Sequence, residues 1–295
     1  MVESIAGVAV NAARHKRRRR LNRIMNVLIY TAVVLAIVPL VVILGDVASK
    51  GLPQFSLSFF TKLPTPEGIA GGGISNAIVG SVTIVGLGSL ISVPIGVGAG
   101  IFFSEWPEAR LSPFASFLND VLAEFPSIVI GIFVYVVVVV TTHTFSALAG
   151  AVSLAIIMIP IVARTTEESL KLVPKTLREA SMALGVSRWK TVIRIVISTG
   201  KAGLLTGILL AVARAAGESA PLLLTALGSE FYAKSLLQPT AALPLLIYVY
   251  GISGYADWQA RAWGAAMVLI IFMLALNLTV KLTVGRKFAN VRAEI

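Results

Sequence analysis

The sequence predicts an all-α integral membrane protein with six transmembrane helices, and three observations support this. Of its 295 residues, 57% are hydrophobic and 13% are charged, whereas an ordinary soluble domain has roughly 25% charged residues. The mean hydropathy is +0.89. Apolar runs near the ~20 residues needed to cross ~30 Å of hydrocarbon recur along the whole chain. We therefore expect one membrane-embedded domain and no separate soluble one.

Apolar length indicates where the six spans lie. They fall near residues 24–45, 74–103, 120–141, 144–163, 203–227 and 262–284. The second is longer than one crossing and carries Pro94 among several glycines, which predicts tilt or a kink. The third and fourth are joined only by TTHT, a tight hairpin. The first apolar run exceeds the roughly 7 to 15 residues of a secretory signal, so we expect an uncleaved span.

Lysine and arginine are distributed unevenly between the loops. With the N-terminus inside, 20 of the 25 basic residues lie on the cytoplasmic side: in the segment 1–23, at Arg110, in the segment 164–201 and after Val280. The positive-inside rule therefore predicts that both ends, including the tail 285–295, lie on the cytoplasmic face of the cell membrane. On so apolar a chain, the net charge of +11 indicates contact with anionic membrane lipid rather than nucleic acid.

The residue inventory excludes several kinds of chemistry. The chain has no cysteine and only two histidines, His15 and His143, so we expect no disulfide, no metal site and no cofactor. The string STGKAG at 198–203 contains Gly-Lys, but Ala202 replaces the Ser or Thr of a Walker A motif. The chain is therefore predicted to be a transport subunit without an ATPase site of its own.

Two external segments, 46–73 and 228–261, are long enough to pack on something. The first contains three prolines and the string GIAGGGIS, which predicts loop rather than helix. Its glycines do not form a phosphate cradle, because no Gly-Lys-Ser/Thr follows them.

The internal segment 164–201 is predicted to form two short amphipathic helices bent at a glycine. Thr165 and Glu168 form a capping-box pair, Gly185 ends one helix, and Ser187 caps the next. The apolar faces are formed by Leu177, Ala180 and Leu184 in the first helix and by Trp189, Val192, Ile193 and Val196 in the second. This pattern fits either a connector on the membrane surface or a knob that a soluble partner grips.

The fifth predicted span carries two charged residues, Arg214 and Glu218, about a dozen residues from a span end. Placing a charged side chain in the membrane costs at least ~2.5 kcal/mol, so its presence indicates that the side chain faces protein or a water-filled path. At positions i and i+4 the two share one helix face. Small and polar residues continue that face: Gly203, Gly207, Ala211, Pro221 and Thr225. The pair either fixes helix packing or presents the guanidinium to an oxyanion, with the carboxylate neutralising it until the anion arrives.

The string EASMALGVSRWKTVIRIVIS at 179–198 resembles the EAA loop of binding-protein-dependent ABC importers. Glu179, Ala180, Gly185 and Ile195 match that pattern, whereas Ser198 stands where the family has proline. In that family the loop forms a coupling helix that sits in a cleft of the ATPase subunit. The resemblance implies a type I ABC importer permease (MetI-like) fold and an ATPase-coupling role for Glu179, Ala180 and Gly185.

Three further strings resemble the PstA permease family of phosphate-specific ABC importers: NAIVGS at 76–81, PSIVIG at 126–131 and GESAPLLLTA at 217–226. This resemblance implies that inorganic phosphate is the substrate and that Arg214 and Glu218 are critical for transport. Ser127 is then either a hydroxyl donor on the path or a small packing residue. The implied partners are a PstC-like permease subunit, two copies of an ATP-binding ABC ATPase subunit and an extracytoplasmic phosphate-binding protein.

Two alternatives stay open at this point. The same machine can carry another oxyanion, such as sulfate, molybdate or phosphonate, since arginine geometry alone does not distinguish them. A self-contained channel or secondary transporter is a different class, and it would need its own gating or coupling-ion residues in the membrane.

Overall fold

A computed structural model of the chain describes residues 2–292, with the side chains of residues 17–279. Met1 and the last three residues of the predicted tail 285–295 lie outside the described residues, and His15 lies outside the described side chains. The helices are α1 (Val2–Gly51), α2 (Leu57–Thr61), α3 (Ser75–Glu105), α4 (Ser112–Glu124), α5 (Ser127–Thr142), α6 (Ala147–Lys171), α7 (Lys175–Ala183), α8 (Arg188–Ala216), α9 (Ala220–Thr225), α10 (Leu243–Gly251) and α11 (Ala256–Arg292).

Five helices are long and apolar enough to cross a membrane, namely α1, α3, α6, α8 and α11. The bent pair of α4 and α5 makes a sixth when it is counted as one span. Between residues 2 and 292 the structure contains no β-strand, and an isolated bridge pairs Leu227 with Thr240. The all-α class with six candidate spans is confirmed.

The helix α1 is a unit of its own, and the helices that follow it form a second unit. The apolar side chains of α1 between Leu21 and Leu44 are largely exposed, as expected of a surface that meets lipid. The helix is much longer than the predicted span 24–45.

The centre of the second unit is the contact between α3 and α6, which depends on small residues every fourth position along α3. Gly96 and Gly100 lie so close to α6 that an added Cβ on Gly96 would be 2.7 Å from the Val162 Cβ, and one on Gly100 would meet the Ala163 carbonyl. Ser92, one step before Gly96 in the series, is fully buried and contacts the Met158 sulfur at 3.6 Å. Small residues let two helix backbones approach closely where no hydrophobic force acts between them.

The third predicted span, 120–141, is broken in the structure. The helices α4 and α5 meet at Phe125 and Pro126 with a bend of 103°. Proline lacks a backbone N–H and disfavours helical conformation in the residue before it. Phe125 accordingly adopts an extended backbone with φ −65° and ψ 133°. Of the predicted span 120–141, the part after Pro126 forms the single helix α5, which runs to the hairpin.

The fifth predicted span, 203–227, is also different. Its helix α8 begins at Arg188 and ends at Ala216, and residues 217–219 are not helical before the short helix α9. Gly217 is a weak helix former, and a helix through Pro221 would lose its hydrogen bond to the Gly217 carbonyl. Glu218 therefore lies beyond the end of α8, and the small-residue face does not continue along one helix.

The internal loop is shorter than the predicted segment 164–201, because α6 continues to Lys171. The capping-box prediction was wrong: the Thr165 Oγ1 donates to the Ile161 carbonyl at 2.8 Å, and Glu168 pairs with Arg164 at 3.1 Å. Ser187 precedes α8 as predicted, although its side chain makes no capping hydrogen bond.

The second apolar face predicted for this loop is divided. Val192 and Val196 are buried, whereas Trp189 and Ile193 are about half exposed. A π-helical turn at Val192–Val196 changes the helical repeat here, so residues spaced for an α-helix do not share one face.

The external segment 46–73 was predicted to be loop, and this prediction was wrong in part. The helix α1 continues to Gly51, a 3₁₀ turn follows at Leu52–Gln54, and α2 occupies Leu57–Thr61. Residues 62–74, which include the triple glycine, are irregular as predicted.

Candidate functional site

Arg214 and Glu218 form an ion pair in the structure, with 3.7 Å between the Arg214 Nε and the Glu218 Oε1. Arg214 occupies the last turn of α8, and Glu218 lies in the turn that follows it. The Arg214 side chain is 57% exposed and the Glu218 side chain 19%. In the described part of the chain no hydrogen bond engages the guanidinium, so its planar set of N–H donors is open to another group.

The depth of this pair follows from its neighbours on α6. Gly207 of α8 lies against Thr165, and the Ser146 N–H at the start of α6 donates to the Thr225 carbonyl at 3.0 Å. The stretch of α6 from Thr165 to Ser146 covers about 28 Å at 1.5 Å per residue. Arg214, one and a half to two turns beyond Gly207, lies about 10 Å along that stretch. The pair is therefore in the middle third of the span.

The two broken spans are in contact close to Glu218 in the sequence. Gly131 of α5 lies against α9, where an added Cβ would be 2.7 Å from the Pro221 Cα. Ser127 is the first residue of α5, one turn before Gly131. Among the described side chains no hydrogen bond or ion pair joins Ser127 to Arg214 or Glu218. The structure thus packs α5 against α9, the short helix that follows Glu218, and leaves Ser127 without a hydrogen bond or an ion pair to Arg214 or Glu218.

A buried polar contact follows on the far side of α9. The Thr225 Oγ1 lies 3.4 Å from the Ser153 Oγ of α6, and both residues are fully buried. Each hydroxyl also donates to a carbonyl of its own helix, Thr225 to Pro221 and Ser153 to Gly150. Thr225, which was predicted to continue the polar face of Arg214, is therefore used in packing α9 against α6.

The predicted coupling residues lie together on the exposed helix α7. Glu179 and Ala180 are exposed, and Ala180 shares an exposed apolar face with Leu177 and Leu184, as the spacing predicted. Leu184 is 85% exposed, an unusual amount for a leucine next to a well-packed bundle.

Gly185 ends α7 in the way the sequence predicted. Its φ is +80°, a left-handed conformation that glycine adopts without strain. The Gly185 N–H donates to the Met182 carbonyl at 2.9 Å, and the Val186 N–H donates to the Ser181 carbonyl at 3.3 Å. These are the bonds that close a helix at a C-terminal glycine, and they set the sharp turn between α7 and α8.

At the hairpin end of the bundle, defined by residues 143–146, one arginine holds the glycine-rich loop. Arg261 is buried and donates to the Thr65 carbonyl at 2.9 Å, to the Thr65 Oγ1 at 2.6 Å and to the Ile69 carbonyl at 3.0 Å. It also pairs with Asp257 at 2.9 Å. The loop is therefore anchored at Thr65 and at the Ile69 carbonyl, while the side of Pro66–Gly71 that faces away from Arg261 stays exposed.

A cavity of about 200 Å³ opens at this same end. Its walls include Asn76 of the NAIVGS string, Glu230, and the stacked rings of Tyr250 and Trp258, which are 4.1 Å apart. Burial raises the pKa of Tyr250 to about 12, so its hydroxyl stays neutral at physiological pH. In the described part of the chain, no group of three or more His, Asp or Glu residues could hold a metal ion.

Sequence reasoning missed one ionic contact near α7. Glu105 at the end of α3 is buried and pairs with Arg178, with 2.6 Å between the Glu105 Oε1 and the Arg178 Nη2. The two residues are 73 positions apart, so no local pattern connects them. A glutamate placed at the very end of a long apolar run was the one visible signal.

A family model covers most of the bundle. Residues 92–286 match the model described as "Binding-protein-dependent transport system inner membrane component". The matched region includes α7, the pair of Arg214 and Glu218, and both breaks in the bundle.

Several proteins are similar over nearly the whole chain. The "Phosphate transport system permease protein PstA" of Haemophilus influenzae is 44% identical over 266 residues, which covers 90% of this chain and 94% of that one. The protein of the same name from Yersinia pestis is 41% identical and covers 92% of both chains. The "Probable phosphate transport system permease protein PstA" of Methanocaldococcus jannaschii is 38% identical, with 91% and 95% covered.

Solved structures show the same fold at lower identity. An inward-facing conformation of the MetNI methionine ABC transporter superposes with a TM-score of 0.58 at 21% identity, covering 72% of this chain and 94% of that chain. An amino acid ABC transporter solved with histidines has a TM-score of 0.53 at 16% identity, with 72% and 92% covered. The type I ABC importer permease fold is confirmed by these neighbours.

Proposed function

Because the chain belongs to the family of binding-protein-dependent transport system inner membrane components, in its PstA branch, we propose that it carries inorganic phosphate into the cell. It acts as one permease subunit of an ATP-driven importer. The observation that carries the proposal is the largely exposed guanidinium of Arg214 beside Glu218, in the middle third of an apolar bundle.

The chemistry of this pair fits a phosphate path. A guanidinium presents paired donors to the oxygens of an oxyanion. The ion pair is long, at 3.7 Å, and no hydrogen bond supports it among the described residues. An anion of charge near −2 can therefore compete with the Glu218 carboxylate for the guanidinium. Glu218 then keeps the arginine neutralised between transport cycles, which lowers the cost of its charge in the membrane.

The exposure of Arg214 indicates that the path is completed by another chain. A charged side chain facing lipid in mid-membrane is costly, so the open side of Arg214 is expected to face a second permease subunit of PstC type. Phosphate would then pass between the two subunits, delivered at the hairpin end by an extracytoplasmic binding protein. Ser127, on a helix that touches α9, is available as a further donor along that path.

The energy for transport would come from separate subunits. The exposed face of Leu177, Ala180 and Leu184 offers an apolar surface to an ABC ATPase, with Glu179 beside it and Gly185 holding the turn. Two ATPase copies would serve the two permease subunits. Their ATP-driven closure would displace α7 and switch the bundle between outward-open and inward-open forms.

The proposed function also requires one orientation of the chain in the membrane. The end of the bundle that carries α7 is cytoplasmic, and the hairpin end is outside. Both termini are cytoplasmic, in agreement with the excess of lysine and arginine on that side. A channel or secondary transporter would have no use for the exposed apolar face of α7.

The proposal is tested by reconstituting the chain with a PstC-type subunit, the ATPase and the binding protein in proteoliposomes. We expect ATP-dependent uptake of radiolabelled phosphate, with ATPase activity stimulated by phosphate-loaded binding protein. Sulfate, molybdate and phosphonate with their own binding proteins serve as controls. Stimulation by one of those anions without stimulation by phosphate would mean that the chain belongs to an ABC importer whose substrate is that anion and not phosphate.

The docking surface has its own test. Leu177→Glu places a charge in the apolar face of α7 and is expected to abolish co-isolation of the ATPase. Met182→Glu adds the same charge on the opposite side of α7, about 140° around the helix from Leu177, where the side chain is also exposed, and it is expected to preserve co-isolation. Equal binding by both variants would contradict the assignment of this face to the ATPase.

A further inference from the structure

The end of α3 is fixed to α7 by an ion pair that is unusual in its geometry. Both carboxylate oxygens of Glu105 accept hydrogen bonds from Arg178, at 3.2 Å from Nε and 2.6 Å from Nη2. The Glu105 side chain is 4% exposed and the Arg178 side chain 17%. An exposed pair is loose and screened by salt, whereas a buried bidentate pair has a defined direction and resists stretching.

The same arginine also holds the end of α6. Its Nη1 donates to the Val173 carbonyl at 2.5 Å, and its Nη2 donates to the Leu170 carbonyl at 2.9 Å. These carbonyls belong to the last turn of α6 and the residues just after it, where the α-helical hydrogen bonds run out; the Leu170 carbonyl also accepts from the Val173 N–H at 3.1 Å. One guanidinium therefore joins α7 to the ends of both helices that form the centre of the bundle.

A second arginine attaches the start of α8 to the same point. Arg188 donates to the backbone carbonyl of Glu105, and its guanidinium lies 5.3 Å from the centre of the Trp106 ring. That ring in turn lies 5.7 Å from the ring of Trp189. The residue at the end of α3 is thus held by α7 through its carboxylate and by α8 through its carbonyl.

We infer that the Glu105–Arg178 ion pair is the joint through which a displacement of α7 is passed to α3. This rests on the proposed function, in which ATPase subunits move α7. Among the described side chains, every hydrogen bond from α7 to α3 runs through Arg178. Because α3 is locked to α6 at Gly96 and Gly100, pulling on Glu105 moves the two central helices together. Glu105 acts through Arg178 and is a positioning residue.

The test uses the complete complex in proteoliposomes and measures phosphate taken up per ATP hydrolysed. Glu105→Gln keeps the volume of the side chain and removes its charge. We expect the ATPase to co-purify and hydrolyse ATP, while uptake per ATP falls by about tenfold, within the usual range of coupling between distant sites. The matched control is Glu108→Gln, an exposed carboxylate three residues away, which is expected to keep the original ratio.

A second variant keeps the inference testable if an unpaired Arg178 prevents assembly. Since the chain has no cysteine, Glu105→Cys and Arg178→Cys can be combined, which removes both charges at once. In a complex whose other chains are also free of cysteine, this double variant is expected to be uncoupled. A short bis-maleimide that bridges the two thiols is expected to restore uptake per ATP.

The outcomes separate the two proposals. If the unaltered complex does not transport phosphate at all, the proposed function is wrong. If the unaltered complex transports phosphate, and Glu105→Gln or the unbridged cysteine pair does so with the same uptake per ATP, the joint is wrong and the proposed function stands. If uptake per ATP falls in the double variant and the bridge does not restore it, the inference is also wrong, because the ion pair would then serve only to stabilise the fold.

Discussion

The pair of Arg214 and Glu218 shows what single residues can reveal without a structure. Their spacing predicted an ion pair, and the pair is present at 3.7 Å. The prediction rested on a continuous helix, however, and Glu218 lies outside α8. Gly217 and Pro221 were visible as weak and forbidden helix positions, but the apolar length of the run outweighed them. The residues were predictable and the backbone that carries them was not.

Replacement of Arg214 tests whether its shape or its charge is used. Arg214→Lys keeps the charge and loses the planar pair of donors, so we expect phosphate uptake to fall by about tenfold or more, since a hydrogen bond to a charged group contributes about 1.5–3 kcal/mol. Arg214→Ala is expected to abolish uptake and to leave assembly with the ATPase intact. Normal transport by the lysine variant would contradict the role given to the guanidinium. Uptake assays on membrane vesicles, with co-purification as the control, measure both effects.

Helix α7 was the element most accessible to sequence reasoning, because its signals are local. The exposed face of Leu177, Ala180 and Leu184 and the turn at Gly185 follow from spacing and from the unique backbone freedom of glycine. The same spacing argument was wrong in part for the next helix, because the π-helical turn at Val192–Val196 changes the helical repeat. The joint at Glu105 and Arg178 was missed because it depends on tertiary contact.

Gly185 offers a test of the turn itself. Gly185→Val forces a branched side chain into a left-handed backbone, which costs roughly 1–2 kcal/mol. We expect this variant to lose most ATP-dependent uptake. Gly185→Asn adds a side chain of similar size that tolerates this conformation, and space around the position is open. Uptake should therefore be largely retained with asparagine, and equal loss in both variants would mean that bulk rather than backbone conformation matters.

The packing of α3 on α6 has a closely matched pair of positions. Gly100→Ala places a Cβ against the Ala163 carbonyl and Thr166, and we expect destabilisation of about 1–3 kcal/mol from overpacking. Gly98→Ala lies two residues away on the same helix, where nothing is within 4 Å. That variant is expected to be neutral or slightly stabilising, since alanine favours a helix by up to about 1 kcal/mol. Thermal unfolding of the purified chain in detergent compares the two, and equal melting temperatures would contradict the close approach of α3 and α6.

At the scale of the whole molecule, composition predicted most of what the structure shows. Hydropathy alone located the long spans, because a membrane restricts what can cross it to helices and closed barrels. Hydropathy misplaced some of the helix ends by a dozen residues or more, because helices continue past the hydrocarbon wherever their own hydrogen bonds allow. The bend of 103° between α4 and α5 was also hidden, because a broken span and a straight one have the same hydropathy.

The orientation of the molecule is testable with single cysteines, since the chain contains none. Glu67→Cys lies in the exposed part of the glycine-rich loop, and Thr176→Cys lies at the start of α7, where the side chain is also exposed. In intact cells we expect a membrane-impermeant thiol reagent to label position 67 and to spare position 176. After the membrane is opened, both should react. Labelling of position 176 from outside would reverse the topology.

The break at Pro126 has a consequence for the surrounding lipid. From Ser127 to Thr142, α5 rises about 24 Å, whereas the hydrocarbon core of a typical bilayer is ~30 Å thick. With α4 turned aside by 103°, this leaves a hydrophobic mismatch of about 6 Å that local thinning of the bilayer must absorb, at a cost of a fraction of a kcal/mol per Å. Acyl-chain length thus becomes a variable of transport: with head groups held constant, proteoliposomes of shorter-chain lipids should take up phosphate faster than those of longer-chain lipids.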